Sequence, residues 1–249
     1  MAAKSVIDGC FAGKKVLITG ASRGLGLQFT RRLAAAGSVV YASCRSPKTA
    51  AALQEVCALY PERVIACELD TADARSVATL ANSIPVLDVL VNNAGIVPES
   101  HPNDPMIKVD LNVLDSVLRT NLHGPIATTK AFLQQLERGE QKLVVTISSD
   151  LASIGKCLPA EKNTMETASY RISKAAVNMA MRLFAAELDN LTVVAMSPGW
   201  VDTDMGSRGG RTPPLTPEQS VDGMLHVLAG LKLADTGKFL KYDGSEVPW

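Results

Sequence analysis

The chain has no excess of charge of either sign: over 249 residues, 25 lysines and arginines balance 25 aspartates and glutamates, for a formal net charge of +0. That balance excludes a general attraction to nucleic acid or to an anionic membrane, so any recognition of anions has to be local. A metal-binding pattern is missing too. Cys10, Cys44, Cys57, Cys67 and Cys157 make no C-x-x-C pair and do not cluster with His101, His123 and His226. They read as free thiols of a reducing compartment. No run approaches the roughly 20 apolar residues of a membrane helix. The opening MAAKSVIDGC has no apolar signal core, and the closing SEVPW carries no lipidation or retrieval signal. The expectation is a cytoplasmic protein with no nucleic-acid partner, no membrane association and no metal.

What is present is a core-forming alternation. Hydrophobic side chains make up 47% of the chain, enough for a substantial interior, and α/β chains of this length commonly form one domain, here 1–249. Short β-branched runs occur at KVLITG (15–20), VVYASCR (39–45), VIACELD (64–70), LDVLVNNAG (87–95), KLVVTISS (142–149), TVVAMSPG (192–199) and KFLKYDG (238–244), with longer helical stretches between them. The alternation predicts an α/β protein with a mainly parallel, seven-stranded sheet and helices on both faces. Continuous apolar strands fit a sheet covered on both sides. Two segments break the rhythm, DLASIGKCLPAEKNTME (150–166) and VDTDMGSRGGRTPPLTPEQ (201–219). Both leave the carboxyl ends of strands, where open α/β sheets bind ligands.

The first strand runs into TGASRGLG, with Gly20, Gly24 and Gly26 around Ser22, Arg23 and Leu25, and then into a helix. Glycines there let the backbone turn tightly and approach a diphosphate, and free N–H groups at the helix start supply donors and partial positive charge. A site for NAD commonly places an acid about 20 residues further on to hold the ribose 2′-hydroxyl. No Asp or Glu occurs between Gly20 and Glu55, and the second strand ends in Arg45 instead. Arg45 and Arg23 can together clamp a 2′-phosphate through charge-assisted hydrogen bonds, which points to NADP(H) over NAD(H).

With TGASRGLG, ELDTAD, NNAG, RTNLHGP, TISS, YRISK and SPGWVDTDM in that order, nearly the whole chain resembles the short-chain dehydrogenase/reductase family, most of all its C-factor and sniffer-type carbonyl reductases. The resemblance implies a doubly wound Rossmann fold. It also implies that Asp70 meets the adenine with Thr71 beside it, and that Asn93, Ala94 and Gly95 line the ribose side while Asn92 braces the sheet. Pro198, Gly199, Val201 and Thr203 would hold the nicotinamide. Family members often pair through helices around 110–137 and 167–188, so a homodimer or homotetramer is the expectation by analogy.

Tyr170 and Lys174 lie four apart in a predicted helix and so share a face. A lysine ammonium ~4 Å from a phenol, at an effective dielectric of ~20, favours phenolate by about 4 kcal/mol, or about 3 pKa units. Tyr170 is thus the candidate proton donor to a carbonyl that accepts hydride. The family pattern assigns the assisting hydroxyl to Ser149, with its neighbour Ser148 the alternative, since adjacent strand residues face opposite sides. By resemblance Lys174 also binds the nicotinamide ribose, and Asn121 holds a water that links Lys174 to solvent. Twenty residues separate Ser149 from Tyr170. Asp150, Leu151, Ile154 and Leu158 from that loop, with Trp200 and Met205 opposite, are the candidate walls of the substrate pocket. The expected activity is NADPH-dependent reduction of a small or medium carbonyl compound, reversible as an alcohol dehydrogenase. The alternative is a dinucleotide-binding signalling protein of the C-factor type with little or no turnover.

Overall fold

The computed structural model describes residues 2–100, 103–157 and 167–249. Its strands are β1 (Lys15–Thr19), β2 (Val39–Cys44), β3 (Val64–Glu68), β4 (Val89–Asn92), β5 (Leu143–Ile147), β6 (Thr192–Ser197) and β7 (Phe239–Lys241). They form one sheet in the order β3-β2-β1-β4-β5-β6-β7, and every neighbouring pair is parallel. All seven expected runs are present, shortened where glycine, Asn-Ala-Gly, serine or Pro-Gly hands the backbone to a loop. The sheet is wholly rather than mainly parallel.

Alternate side chains of each strand enter two different cores, as a period of two requires. On one face Val16, Ile18, Val40, Val91, Val145 and Val194 pack with Ile7 and Phe11 of α1 (Ala2–Phe11), Phe29 and Leu33 of α2 (Gly24–Ala35) and Leu53 of α3 (Ala51–Leu59). On the other, Leu17, Leu90, Val144 and Val193 meet Leu80 of α4 (Ala74–Ser83). Between β4 and β5 run α5 (Leu111–Leu118), α6 (Gly124–Ala131) and α7 (Leu133–Glu137), and between β5 and β6 runs α8 (Ala168–Glu187). Leu136 of α7 and Val177 and Met181 of α8 complete the second core. Phe29 and Phe132, both fully buried, anchor the two sides, and truncating either to alanine costs about 3–5 kcal/mol. The helix α9 (Pro217–Gly230) begins at Thr216, whose hydroxyl accepts from Gln219 N in a capping box.

This winding creates the site. From β1 the chain steps outward to β2 and β3, then returns across β1 to β4, so loops diverge at the carboxyl ends of β1 and β4 and open a crevice. Asn92 braces the sheet beneath it, donating to Thr129 Oγ1 at 3.0 Å and Thr146 Oγ1 at 3.3 Å. The loop after β6 is pinned at its base by a bridge between Val201 and Leu215. Among the described residues no helix is long and apolar enough to cross a membrane, and no cluster of three or more His, Cys, Asp or Glu is placed to hold a metal.

Candidate active site

The glycine turn is built by exclusion of side chains. Gly20 and Gly24 adopt φ of 70° and 55°, a left-handed region open to glycine at little cost. A Cβ on Gly26 would lie 2.3 Å from Gly20 O and 2.6 Å from Asn93 Nδ2, so only glycine lets α2 close onto the turn. Asn93 Nδ2 donates to Thr19 O at 2.8 Å and Gly20 O at 3.2 Å, tying the end of β4 to the turn. At the start of α2 the N-cap residue Arg23 offers no side-chain acceptor, and Leu27 N donates to Arg23 O at 3.2 Å. The N–H groups of that first turn are therefore available to an anion.

A cleft of ≈ 420 Å³ runs along this turn. One wall carries Gly20, Ser22, Arg23, Gly24, Leu25 and Arg45, followed by Asp70, Thr71, Asn93, Ala94 and Gly95; further in come Tyr170, Lys174, Pro198, Thr203 and Met205. Gly26, Gly199 and Val201 lie behind the lining. At Gly199 an added Cβ would strike Leu215 and the Tyr242 ring, and Val201 is buried. Arg23 is turned otherwise than expected: Nη1 pairs with Asp204 Oδ2 at 2.9 Å, across the cleft mouth, with both side chains exposed. Arg45 is exposed at the same mouth. The Asp70 carboxylate accepts from Ala72 N at 2.9 Å, within its own loop. Sequence reasoning misses Cys44, Leu69, Ile96, Ser116, Thr120 and Ile147, which also border the cleft. Most adjoin a motif residue, and Ser116 lies four before Thr120, a spacing that marks one helical face.

Tyr170 and Lys174 sit one turn apart on α8, 9% and 4% exposed, with Nζ 5.7 Å from the ring centroid. Lys174 Nζ donates to Ile147 O at 2.7 Å, at the end of β5. The adjacent serines divide as strand geometry demands. Ser149 hydrogen-bonds the Tyr170 phenol. Ser148, although it borders the cleft, gives its hydroxyl to Asn178 Oδ1 at 2.6 Å in the interior. Burial pushes the Tyr170 phenol up to about 12, only partly offset by Ser149, and burial also lowers Lys174 to about 8. This reverses the expected sign for the tyrosine. Withdrawing the phenolate from water is the larger cause and sets the direction of the shift.

Asn121 occupies a π-helical turn, Arg119–His123, between α5 and α6. Its Nδ2 donates to Ile96 O at 2.9 Å and Ser173 Oγ at 3.0 Å, and its Oδ1 accepts from Ile96 N at 2.8 Å. Both amide hydrogens are thereby engaged by the protein. At Gly95 an added Cβ would stand 3.4 Å from Asn121 Oδ1 and 3.5 Å from Lys174 Nζ, so the missing side chain leaves space at this junction.

The expected pocket walls divide less favourably. Asp150 faces away from the cleft: its N–H donates to Ser197 Oγ at 3.1 Å and its Oδ2 lies 3.5 Å from Lys241 Nζ. Leu151 belongs to a 3₁₀ turn, Asp150–Ala152, whose N-cap is the Ser149 side chain, and it does not line the cleft. Ile154 is 76% exposed. Trp200 folds onto its own loop, donating Nε1–H to Gly206 O at 3.1 Å with the Arg211 guanidinium 5.9 Å from its ring, and it too lies off the cleft. Leu158 lies outside the described residues. Among the described residues, Met205 alone of the expected walls meets the cleft.

Comparison with known proteins bears on this geometry. Residues 14–212 match the family model described as short chain dehydrogenase. The NADPH-bound carbonyl reductase from chicken fatty liver superposes with a TM-score of 0.87 at 33% identity, over 96% of this chain and 100% of that one. Carbonyl reductase Sniffer of Drosophila melanogaster superposes at 0.84 with 27% identity, over 95% and 100%. In sequence, C-signal of Myxococcus xanthus is 37% identical over 177 residues, 70% of this chain and 99% of that protein. A family match over most of the chain, carried on a wholly parallel sheet with its cleft at the strand-order reversal, makes this protein an oxidoreductase of the short-chain dehydrogenase/reductase family.

Proposed function

We propose that the protein is an NADPH-dependent carbonyl reductase, reversible as an alcohol dehydrogenase, in which Tyr170 delivers the proton. The observation that carries this reading is the burial of Tyr170 and Lys174 at the inner end of a cleft that begins at Arg45, with the Ser149 hydroxyl on the phenol. The chicken carbonyl reductase with NADPH and a Burkholderia multivorans short-chain dehydrogenase/reductase with bound NADP support it by likeness.

The residues fit a dinucleotide. The uncapped first turn of α2 offers N–H donors for the diphosphate, and Gly24 and Gly95 leave open the space their side chains would fill. Arg45 supplies the charge for a 2′-phosphate; Arg23 joins it by leaving Asp204, an exposed pair worth about 0–1 kcal/mol. Asp70 and Thr71 border the adenine end, Asn93, Ala94 and Gly95 the ribose, and Pro198 and Thr203 the nicotinamide, with Gly199 and Val201 shaping that wall from behind. When bound, the cofactor supplies the hydride.

The chain's own groups supply the rest. As negative charge develops on the carbonyl oxygen, Ser149 and Tyr170 both hydrogen-bond it, and the phenol then passes its proton across. A phenol held near 12 in the free protein stays protonated at neutral pH, the form a reduction requires. Lys174 holds the ribose hydroxyls and stabilises the phenolate left behind. Asn121 keeps the Ile96 backbone and Ser173 in place beside that lysine, with one Oδ1 lone pair free for a relaying water.

The likeness to C-signal favours a second reading, a dinucleotide-binding signalling protein with little turnover. Tyr170 and Lys174 lining one cleft, with the Ser149 hydroxyl on the phenol, argue against it, since a sensor has no use for a proton donor. Oxidation of NADPH against a panel of aldehydes, ketones and quinones separates the two. Turnover that falls at least about 100-fold in Tyr170→Phe with cofactor affinity retained is expected, whereas tight NADPH binding with no turnover supports the signalling reading.

A further inference from the structure

We infer that residues 245–249, which follow β7, form a strap that positions the substrate side of the cleft, with Trp249 as its anchoring residue. After β7 the chain doubles back through an antiparallel bridge between Leu240 and Glu246, and Val247 N donates to Phe239 O at 2.8 Å. Val247 then enters a small core of its own with Ala152, Ala195 and Phe239. Beyond it the Trp249 ring lies 5.4 Å from the Phe239 ring, with the Arg182 guanidinium 5.6 Å from its centroid. The Trp249 carbonyl accepts the Gly155 N–H at 2.8 Å.

These contacts fall in a row along the loop that leaves Ser149. Lys241 meets Asp150, Val247 shares a core cluster with Ala152, and Trp249 meets Gly155. Gly155 is fitted to the strap, since a Cβ there would lie 3.1 Å from the Trp249 carbonyl and 3.7 Å from Pro248. The first residues of the same loop form the 3₁₀ turn that Ser149 caps, its Oγ accepting from Leu151 N at 3.2 Å. Movement of the strap therefore passes through Gly155 and Ala152 to the turn that holds the Ser149 hydroxyl against Tyr170. The glycine turn, between β1 and α2, and Arg45, just after β2, make none of these contacts. The strap thus bears on the carbonyl substrate and leaves the dinucleotide untouched.

The inference rests on the reductase reading for its kinetic consequence, and hydrogen exchange tests it without catalysis. In Trp249→Ala the amides of 150–157 lose protection, the KM for a reduced carbonyl rises roughly tenfold, kcat falls with the displaced Ser149 hydroxyl, and the NADPH dissociation constant stays within about twofold. Gly155→Ala, which presses on the same carbonyl from the loop side, shifts KM in the same direction, and Trp249→Phe, which keeps an aromatic ring beside Phe239, restores it. Unchanged protection at 150–157 overturns the strap. So does an unchanged KM in a turnover-competent variant, or NADPH affinity that falls in step with KM, which marks a general loss of structure. If the wild-type protein reduces nothing in the panel, the reductase reading fails and the exchange measurement alone decides the strap.

Discussion

Ser148 and Ser149 are neighbours of one residue type, and the structure assigns them opposite consequences. Ser148 is buried and gives its hydroxyl to Asn178 Oδ1 at 2.6 Å. In Ser148→Ala that buried oxygen loses its donor, at a cost of about 1–3 kcal/mol. Each kcal/mol lowers the melting temperature of a chain this size by about 2–4 °C. The phenol contact survives, so turnover at a temperature well below melting is retained. Ser149 is partly exposed and, besides its hydrogen bond with the phenol, accepts from Leu151 N at 3.2 Å. Its removal costs one turn cap, about 0.5–1 kcal/mol, yet takes away a hydroxyl aimed at the developing oxyanion, worth about 10²–10³ in kcat. Thermal melts and NADPH oxidation on the two variants read both effects. Lost turnover with an unshifted melt in Ser148→Ala, alongside full turnover in Ser149→Ala, refutes the assignment of the two hydroxyls.

Gly26→Ala forces a Cβ to 2.3 Å from a backbone oxygen that cannot swing away; a stability loss of about 1–3 kcal/mol and weaker NADPH binding are expected, and a titration and melt matching the wild type would count against the close approach. Arg45→Asp replaces attraction to a 2′-phosphate with repulsion, so the NADPH-to-NADH affinity ratio falls by roughly 10–100-fold, measured by titrating both cofactors; Arg23→Ala does less because its guanidinium is already paired with Asp204. An unchanged ratio in Arg45→Asp removes the clamp. For pH, Lys174 is lowered from 10.5 to about 8, so it is charged below that value and neutral above it. The kcat/KM for reduction holds level below about pH 8 and declines above it, while Tyr170 stays protonated throughout. Between about 8 and 10.5 the unfolded chain binds the extra proton, so folding stability rises with pH across this window by about 3 kcal/mol relative to Lys174→Met; denaturant melts of both proteins that run parallel would show that burial does not depress the lysine.

Much of the fold is legible in the sequence because its determinants are local. Val16, Leu17 and Ile18 are consecutive apolar residues, and a strand whose neighbours enter two different cores needs that pattern. Gly20, Gly24 and Gly26 are legible for the same reason, since backbone angle and crowding within a single turn select glycine. So is the shared face of Tyr170 and Lys174, which follows from helical spacing alone. The sign of the tyrosine's shift is not, because it depends on how completely α8, β5 and the loops withdraw water from the pair.

The misplaced pocket walls and the turned Arg23 have a common physical cause. Asp150 is drawn off the cleft by Ser197 and Lys241, Arg23 is held by Asp204, and Trp200 turns onto Gly206 and Arg211. In irregular segments no period of two or of 3.6 dictates where a side chain points, so its direction follows partners that, for Asp150 and Arg23, arrive from distant parts of the chain. On the proposed reductase reading, proton delivery and dinucleotide binding rest on short-range spacing, whereas the substrate side rests on contacts within 201–215 and between 150–157 and 245–249. On that reading a chain can keep its glycine turn and its tyrosine-lysine pair while its substrate changes, and these segments are where such a change would be written.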